Sequence, residues 1–497
     1  MSIKANFAKS GMWMVTGAIF NNLSSTAIFI VLARLLTPVQ FGIVAFATIF
    51  IDLSRVLVVA GIPDALIQRK EWDDKVASSA FWTNIAIASL ICALIGGIAT
   101  PISYFVYDAT FALVLLALSL ALFVEAITAV HTAKLRRDFR YKAIASRNMA
   151  ANVLGGVIGI ALAWIGWGVW ALVVSRLLSA SITSIILWRT SGWQPKLFFR
   201  WSDVRSLSGM SSHLLANQLI GQANSQIAGL VIGAAIGPAA LAQFRVGTRV
   251  LNLMAQLIIT PLQAAAMSAF SRLEDEGRPL APAYVRVTRS CSLLACPIFF
   301  GMAAVAPDFT RIIFGPQWHD AGLIMIINSL IVGPSVIMYF FIPALASANR
   351  SALSLRFYIV SLIVTGVTAL AAIPFGAIAA SSTKAIESHV TLPYGLSLTR
   401  RGIGLRPIDN LRAIAPAYLA ALVMAIIVMA IGYYELDRLQ PWQRLPIMVA
   451  IGGLVYPAFL ALFARQFLRE TLGELAFLKN GLRRKPRSSG APVPDSL

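Results

Sequence analysis

FALVLLALSLALFVEAITAVHTAKLRRDFRYKAIASR, residues 111–147, sets two contrasting stretches side by side. From Phe111 to Ala133 the chain runs 23 residues with no lysine or arginine and one carboxylate, Glu125. As a helix rising about 1.5 Å per residue, such a run is about 35 Å long, enough to cross a hydrocarbon core of about 30 Å. The next fourteen residues carry six basic side chains, Lys134 to Arg147. An apolar run closed by a basic loop reads as a membrane span and its cytoplasmic connection.

Working outward, the same alternation extends over all 497 residues. Fourteen apolar segments are legible, at roughly 11–33, 41–66, 79–104, 111–133, 148–166, 168–188, 209–234, 239–267, 290–307, 321–346, 357–377, 379–397, 413–433 and 445–464. Of the 41 lysines and arginines, 32 fall in every other gap, ends included. Four (Arg34, Arg311, Arg438, Arg444) fall in the intervening gaps, and five lie inside the segments. Cytoplasmic loops carry the excess of Lys and Arg, so both ends of the chain are expected in the cytoplasm. The first segment is too long for a signal-peptide core and lacks a clean small-residue cleavage site. The opposite-side loops are too short for an external domain.

Composition agrees. The chain is 58% hydrophobic and only 12% charged, against about 25% charged in soluble domains. A net charge of +20 raises nucleic acid as a partner. The alternation argues against it, because a nucleic-acid binder gathers its charge on one face. Cys92, Cys291 and Cys296 all sit in apolar segments, with no disulfide framework or metal spacing. There is no P-loop, HExxH or Gly-x-Ser-x-Gly, so transport without its own catalysis or ATP hydrolysis is expected, and no cofactor.

An internal repeat divides the chain. Ser10-Gly11-Met12 returns as Ser208-Gly209-Met210, and Asn21 is answered by Asn217. Leu36-Thr37-Pro38 matches Ile236-Gly237-Pro238, and Pro63 matches Pro261. Six spans per half is even, so the halves run in parallel, which places a substrate path between them. The expected fold is an all-α integral membrane protein of fourteen transmembrane helices. Two six-helix pseudo-repeats surround a central cavity, and two C-terminal helices follow. The expected domains are an N-terminal lobe at 1–200, a second lobe at 201–398, extra helices at 399–470 and a basic, disordered tail at 471–497.

Function is sought in the five intramembrane cations, because each costs roughly 2.5–3.5 kcal/mol if exposed to lipid. Arg245, Arg249, Asn252 and Gln256 share one helical face of the eighth segment, with no acid on it. Unpaired arginines on a cavity wall imply an anionic guest, because the guanidinium fork grips phosphate bidentately. His213, Asn217 and Asn224 share a face of the seventh segment. Asp52 and Arg55 are three apart and able to pair, as are Lys384 and Glu387; Arg176 is left without an assignment.

Several stretches resemble bacterial polysaccharide transporters. Leu32-Ala33-Arg34-Leu35-Leu36-Thr37-Pro38 with Phe41-Gly42 is similar to their first loop. Ala65-Leu66-Ile67-Gln68-Arg69-Lys70-Glu71 with Ala80-Phe81-Trp82 is similar to the second. Leu135-Arg136-Arg137-Asp138-Phe139-Arg140-Tyr141 and Gly168-Val169-Trp170-Ala171-Leu172-Val173 match as well. The resemblance is to the oligosaccharide flippase branch of the multidrug/oligosaccharidyl-lipid/polysaccharide exporter superfamily, of the colanic acid or succinoglycan type. It covers about residues 1–200 most strongly. It implies a V-shaped fold with alternating access, moving a polyprenyl-diphosphate-linked oligosaccharide across the bacterial inner membrane for exopolysaccharide or lipopolysaccharide synthesis. Polymerase and chain-length or export proteins of the same pathway are the implied partners, besides membrane lipids. By position, Arg55, Arg245 and Arg249 are the implied diphosphate contacts, and Arg34 the implied guard of the outer mouth. Asn21, Asn217, Asn224, Asn252 and Gln256 are expected to face the glycan. Asp52, Glu125 and Glu387 are the acids available for H+ or Na+ coupling. A cation-coupled multidrug antiporter is the alternative; it calls for an acid-rich cavity, which the basic eighth segment disfavours.

Overall fold

The computed structural model describes residues 3–59, 62–69, 71–105, 109–436 and 438–473. The basic tail expected at 471–497 lies almost wholly outside them. The described residues are helical, with no strand among them. The helices are α1 Ile3–Leu35, α2 Pro38–Val59, α3 Ile62–Gln68, α4 Asp74–Phe105, α5 Ala109–Arg137, α6 Tyr141–Trp164, α7 Val169–Thr190, α8 Trp201–Ala235 and α9 Pro238–Asp275. They continue with α10 Ala281–Ile313, α11 His319–Ser329, α12 Val332–Met338, α13 Phe341–Ser347, α14 Ser351–Ala372, α15 Gly376–Ser381, α16 Thr383–Ile403, α17 Pro407–Tyr434 and α18 Pro441–Phe463.

The chain is a multi-pass membrane protein. Ten helices are long and apolar enough to cross a bilayer, and an eleventh candidate counts if Pro316–Ser329 and Val332–Ser347 form one broken span. The segments expected at 148–166, 209–234 and 379–397 correspond to α6, α8 and α16, which do not pass on hydropathy. Their length suffices, at 24, 35 and 21 residues. What lowers their hydropathy is polar side chains such as Asn148 and Asn152, Asn224 and Gln226, Lys384 and Glu387.

Local sequence explains where helices start. Thr37-Pro38-Val39-Gln40 is a capping box with proline in the first turn. The Gln40 amide donates to Thr37 Oγ1 at 3.3 Å, and the Thr37 amide donates to Gln40 Oε1 at 3.2 Å.

Two compact units result. The first holds residues up to 257 with 305–331 and 352–393. Its core is Phe46, Ile49, Ile51, Phe111, Leu118 and Leu122, all nearly inaccessible. Small residues bring its helices close. Gly155 and Gly159 of α6 form a GxxxG pair, and a Cβ at either would meet Ser179 or Ser175 of α7 at 1.9 or 2.7 Å. Gly156 lies against Ile28 of α1. The sandwiching of α6 between α1 and α7 sets the wall of the site below. The second unit holds 258–304, 332–351 and the described residues from 394 on. There the Tyr456 hydroxyl donates to the Leu293 carbonyl at 3.0 Å, and Phe300 packs edge-on to Tyr418.

Candidate functional site

Unit one contains a cavity of about 760 Å³. Its lining follows helical period. α5 contributes Ala121, Glu125, Thr128, Thr132 and Arg136, and α6 contributes Ile144, Arg147, Asn148, Ala151 and Asn152. Arg176, Ser179 and Thr183 come from α7, Arg55 from α2, Asn21 and Ser25 from α1, and Arg249 from α9. Five arginines and a single carboxylate therefore face one space.

The arginines are held in different ways. Arg55 Nε lies 2.8 Å from Glu125 Oε2. Arg176 Nη2 is 2.8 Å from Asp52 Oδ1, and its Nη1 donates to Thr48 Oγ1 at 3.2 Å. Arg249 has no carboxylate partner among the described residues. Its Nη2 donates to Ser25 Oγ at 3.0 Å, its guanidinium stands 5.2 Å from the Phe29 ring centre, and its Nε is buried without a hydrogen-bond partner among them. Arg147, ahead of the apolar part of α6, is 7% exposed and donates to Asn148 Oδ1 at 2.8 Å. Ser179 donates to the Ala151 carbonyl at 3.0 Å and Asn152 to Ser24 Oγ at 2.8 Å, which fixes the α6 face.

Of the residues singled out from sequence, the structure brings Arg55, Arg249, Asn21 and Glu125 to this cavity. Arg245 is not on its wall: it donates to Gln226 Oε1 of α8 at 2.7 Å. Asn224 belongs to a buried network instead, donating to Ser361 Oγ at 2.9 Å, and Ser361 donates to Glu387 Oε1 at 2.6 Å. Glu387 is paired with Lys384 at 2.8 Å, so each of the three acids considered for coupling has a cation beside it. Asn252 and Gln256 are exposed and off the cavity wall. The side chains of His213 and Asn217 lie outside what is described. Arg34 donates to the carbonyls of Ile312 and Ile313, where it caps the C-terminal end of α10.

Sequence reasoning missed Arg136, Arg147 and the place of Arg176. The signal existed in the spacing: Arg147 precedes Asn148, Ala151 and Asn152 at helical period, and Arg136 follows Thr132 and Glu125.

A cavity walled by arginines and hydroxyls in a multi-pass membrane protein narrows the class, and comparison with known proteins names the family. The family model described as "Polysaccharide biosynthesis protein" matches residues 31–323, and the chain belongs to that family. The chain is 24% identical to the succinoglycan biosynthesis transport protein ExoT of Rhizobium meliloti (strain 1021), over 93% of this chain and 92% of that protein. It is 20% identical to the lipopolysaccharide biosynthesis protein WzxC of Escherichia coli (strain K12), over 58% and 59%. Its fold is like that of the lipid II flippase MurJ in an inward closed conformation, with TM-score 0.76, 12% identity, and coverage of 92% of this chain and all of that one.

Proposed function

We propose that the protein is a flippase for polyprenyl-diphosphate-linked oligosaccharide repeat units, working by alternating access in the bacterial inner membrane. The observation that carries this is the cavity with five arginines against one carboxylate. A diphosphate supplies the charge that this excess lacks, and guanidinium groups bind it in charge-assisted pairs. Arg249 is the leading contact, because no carboxylate engages it among the described residues. Arg55, Arg176, Arg136 and Arg147 complete the wall, and Asn21, Asn148 and Asn152 offer amides to a glycan. In this reading the bent pair 316–347 is one span and α6, α8 and α16 cross the membrane too, bringing the spans to fourteen with both ends cytoplasmic, and Arg245 serves as a structural partner of Gln226. Moving a negative head outward against an inside-negative potential is favourable by about 2.3 kcal/mol per charge per 100 mV. A polymerase and an export system of the same pathway would consume the product. The same cavity disfavours a drug antiporter, since a cationic drug needs carboxylates.

The test is polymer export by Arg249→Ala and Arg55→Ala, measured at equal protein level. Loss of a charged hydrogen bond of about 1.5–3 kcal/mol corresponds to a drop of roughly ten- to hundredfold. Because Arg55→Ala strands Glu125, Arg55→Ala/Glu125→Gln is included; it should recover protein level without recovering export. Full export from both single variants would overturn the reading.

A further inference from the structure

Unit two gathers four arginines at three helix ends, two of them in connections and two in the last turn of α16. α9 ends at Asp275 and α10 starts at Ala281, α13 ends at Ser347 and α14 starts at Ser351, and α16 ends at Ile403 and α17 starts at Pro407. Between these ends lies a pocket of about 420 Å³ lined by Arg278, Arg350, Arg400 and Arg401, with Glu274 as its one carboxylate. Arg350 Nη1 donates to the Arg401 carbonyl at 2.6 Å, which ties the α13–α14 connection to the end of α16. Gly402 and Gly404 leave their part of the wall without side chains.

The rule that puts Lys and Arg on one side of the membrane explains why these residues share a side. It does not explain why residues more than a hundred positions apart converge on one concavity. Each of the four guanidinium groups offers a planar fork that matches phosphate oxygens. α9, α10, α14 and α17 are membrane-crossing candidates. The pocket lies at the ends of these helices, and basic pockets between helix ends suit anionic headgroups. We propose that this pocket binds the phosphate headgroup of an anionic phospholipid. The site is independent of the cargo carried by the cavity of unit one.

The experiment uses the full-length protein with phosphatidylglycerol as probe, its retention read by native mass spectrometry against phosphatidylcholine. Arg278→Gln/Arg400→Gln removes two charges from the pocket. Arg406→Gln/Arg412→Gln removes two from the same region but outside the pocket lining. All four positions are exposed, and thermal midpoints in phosphatidylcholine are expected to stay unchanged. The pocket variant should retain phosphatidylglycerol about tenfold or more weakly, in line with the attraction of each basic residue to an anionic surface. The control should stay close to the unsubstituted protein, and Arg278→Lys/Arg400→Lys should fall between. Equal losses in both glutamine variants would reduce the pocket to general surface charge and overturn the proposal. So would displacement of the lipid by millimolar inorganic phosphate, which would mark a free-anion site, or equal retention of the two lipids by the unsubstituted protein.

Discussion

Gly42→Val is expected to leave little folded protein in the membrane. Gly42 lies in the first turns of α2, and a Cβ built there would stand 1.8 Å from the Pro238 carbonyl oxygen and 2.8 Å from the Pro238 Cα. Both obstacles are backbone at the start of α9, so no side-chain rotation relieves them. Overpacking in a dense interior costs about 3 kcal/mol where the neighbours cannot move. Two-thirds of that is expected even for Gly42→Ala, because the first added carbon already collides. Gly97 of α4 is the control: nothing lies within 4 Å of its added Cβ. Gly97→Ala should hold or raise the thermal midpoint in detergent, since a helix-interior glycine gives up about 1 kcal/mol relative to alanine. A normal yield and midpoint for Gly42→Val would refute the close approach of α2 to Pro238.

Lys384→Ala should destabilise the protein nearly as much. Glu387 is 3% exposed, and Lys384 Nζ, at 2.8 Å, is its one cationic partner among the described residues. Hydroxyls of Ser361 and Thr391 also donate to Glu387, at 2.6 and 3.3 Å, but neither neutralises its charge. Removing one member of a buried pair costs about 3 kcal/mol, here taken at the lower end because Lys384 is partly open to solvent. The double variant Lys384→Ala/Glu387→Gln should recover most of the loss, because a neutral amide keeps hydrogen bonding without needing a counter-charge. A double-mutant cycle on thermal midpoints reads the coupling directly. Strictly additive effects would show that the two side chains do not support one another.

Much of this molecule was legible before any coordinate was known. The apolar run 111–133 and its basic sequel announce a membrane helix, and α5 covers it from Ala109. Thr37-Pro38-Val39-Gln40 announces a helix start, and the reciprocal bonds are there. Arg136 and Arg147 read as loop charges in the sequence for a physical reason. Hydropathy marks where lipid contact ends, whereas α5 runs on to Arg137 and α6 begins at Tyr141, so both arginines ride helical faces back to the cavity. Arg245 and Arg249 share a face of α9 yet part company. One turn of rise and a long flexible side chain suffice to send one toward α8 and the other toward α1.

The division between sequence and tertiary structure is sharpest at Asp52 and Arg55. Hydropathy is a one-dimensional property, so the chain alone determined the membrane class and where most of the helices lie. Ion pairing is a three-dimensional property. Asp52 and Arg55 stand three apart on α2, close enough in sequence to pair with each other. Only the packing of α2 against α5 and α7 decided that Arg55 meets Glu125 and Asp52 meets Arg176. Neighbours on one helix compete with every charge that folding brings near, and here those brought by other helices are the ones in contact.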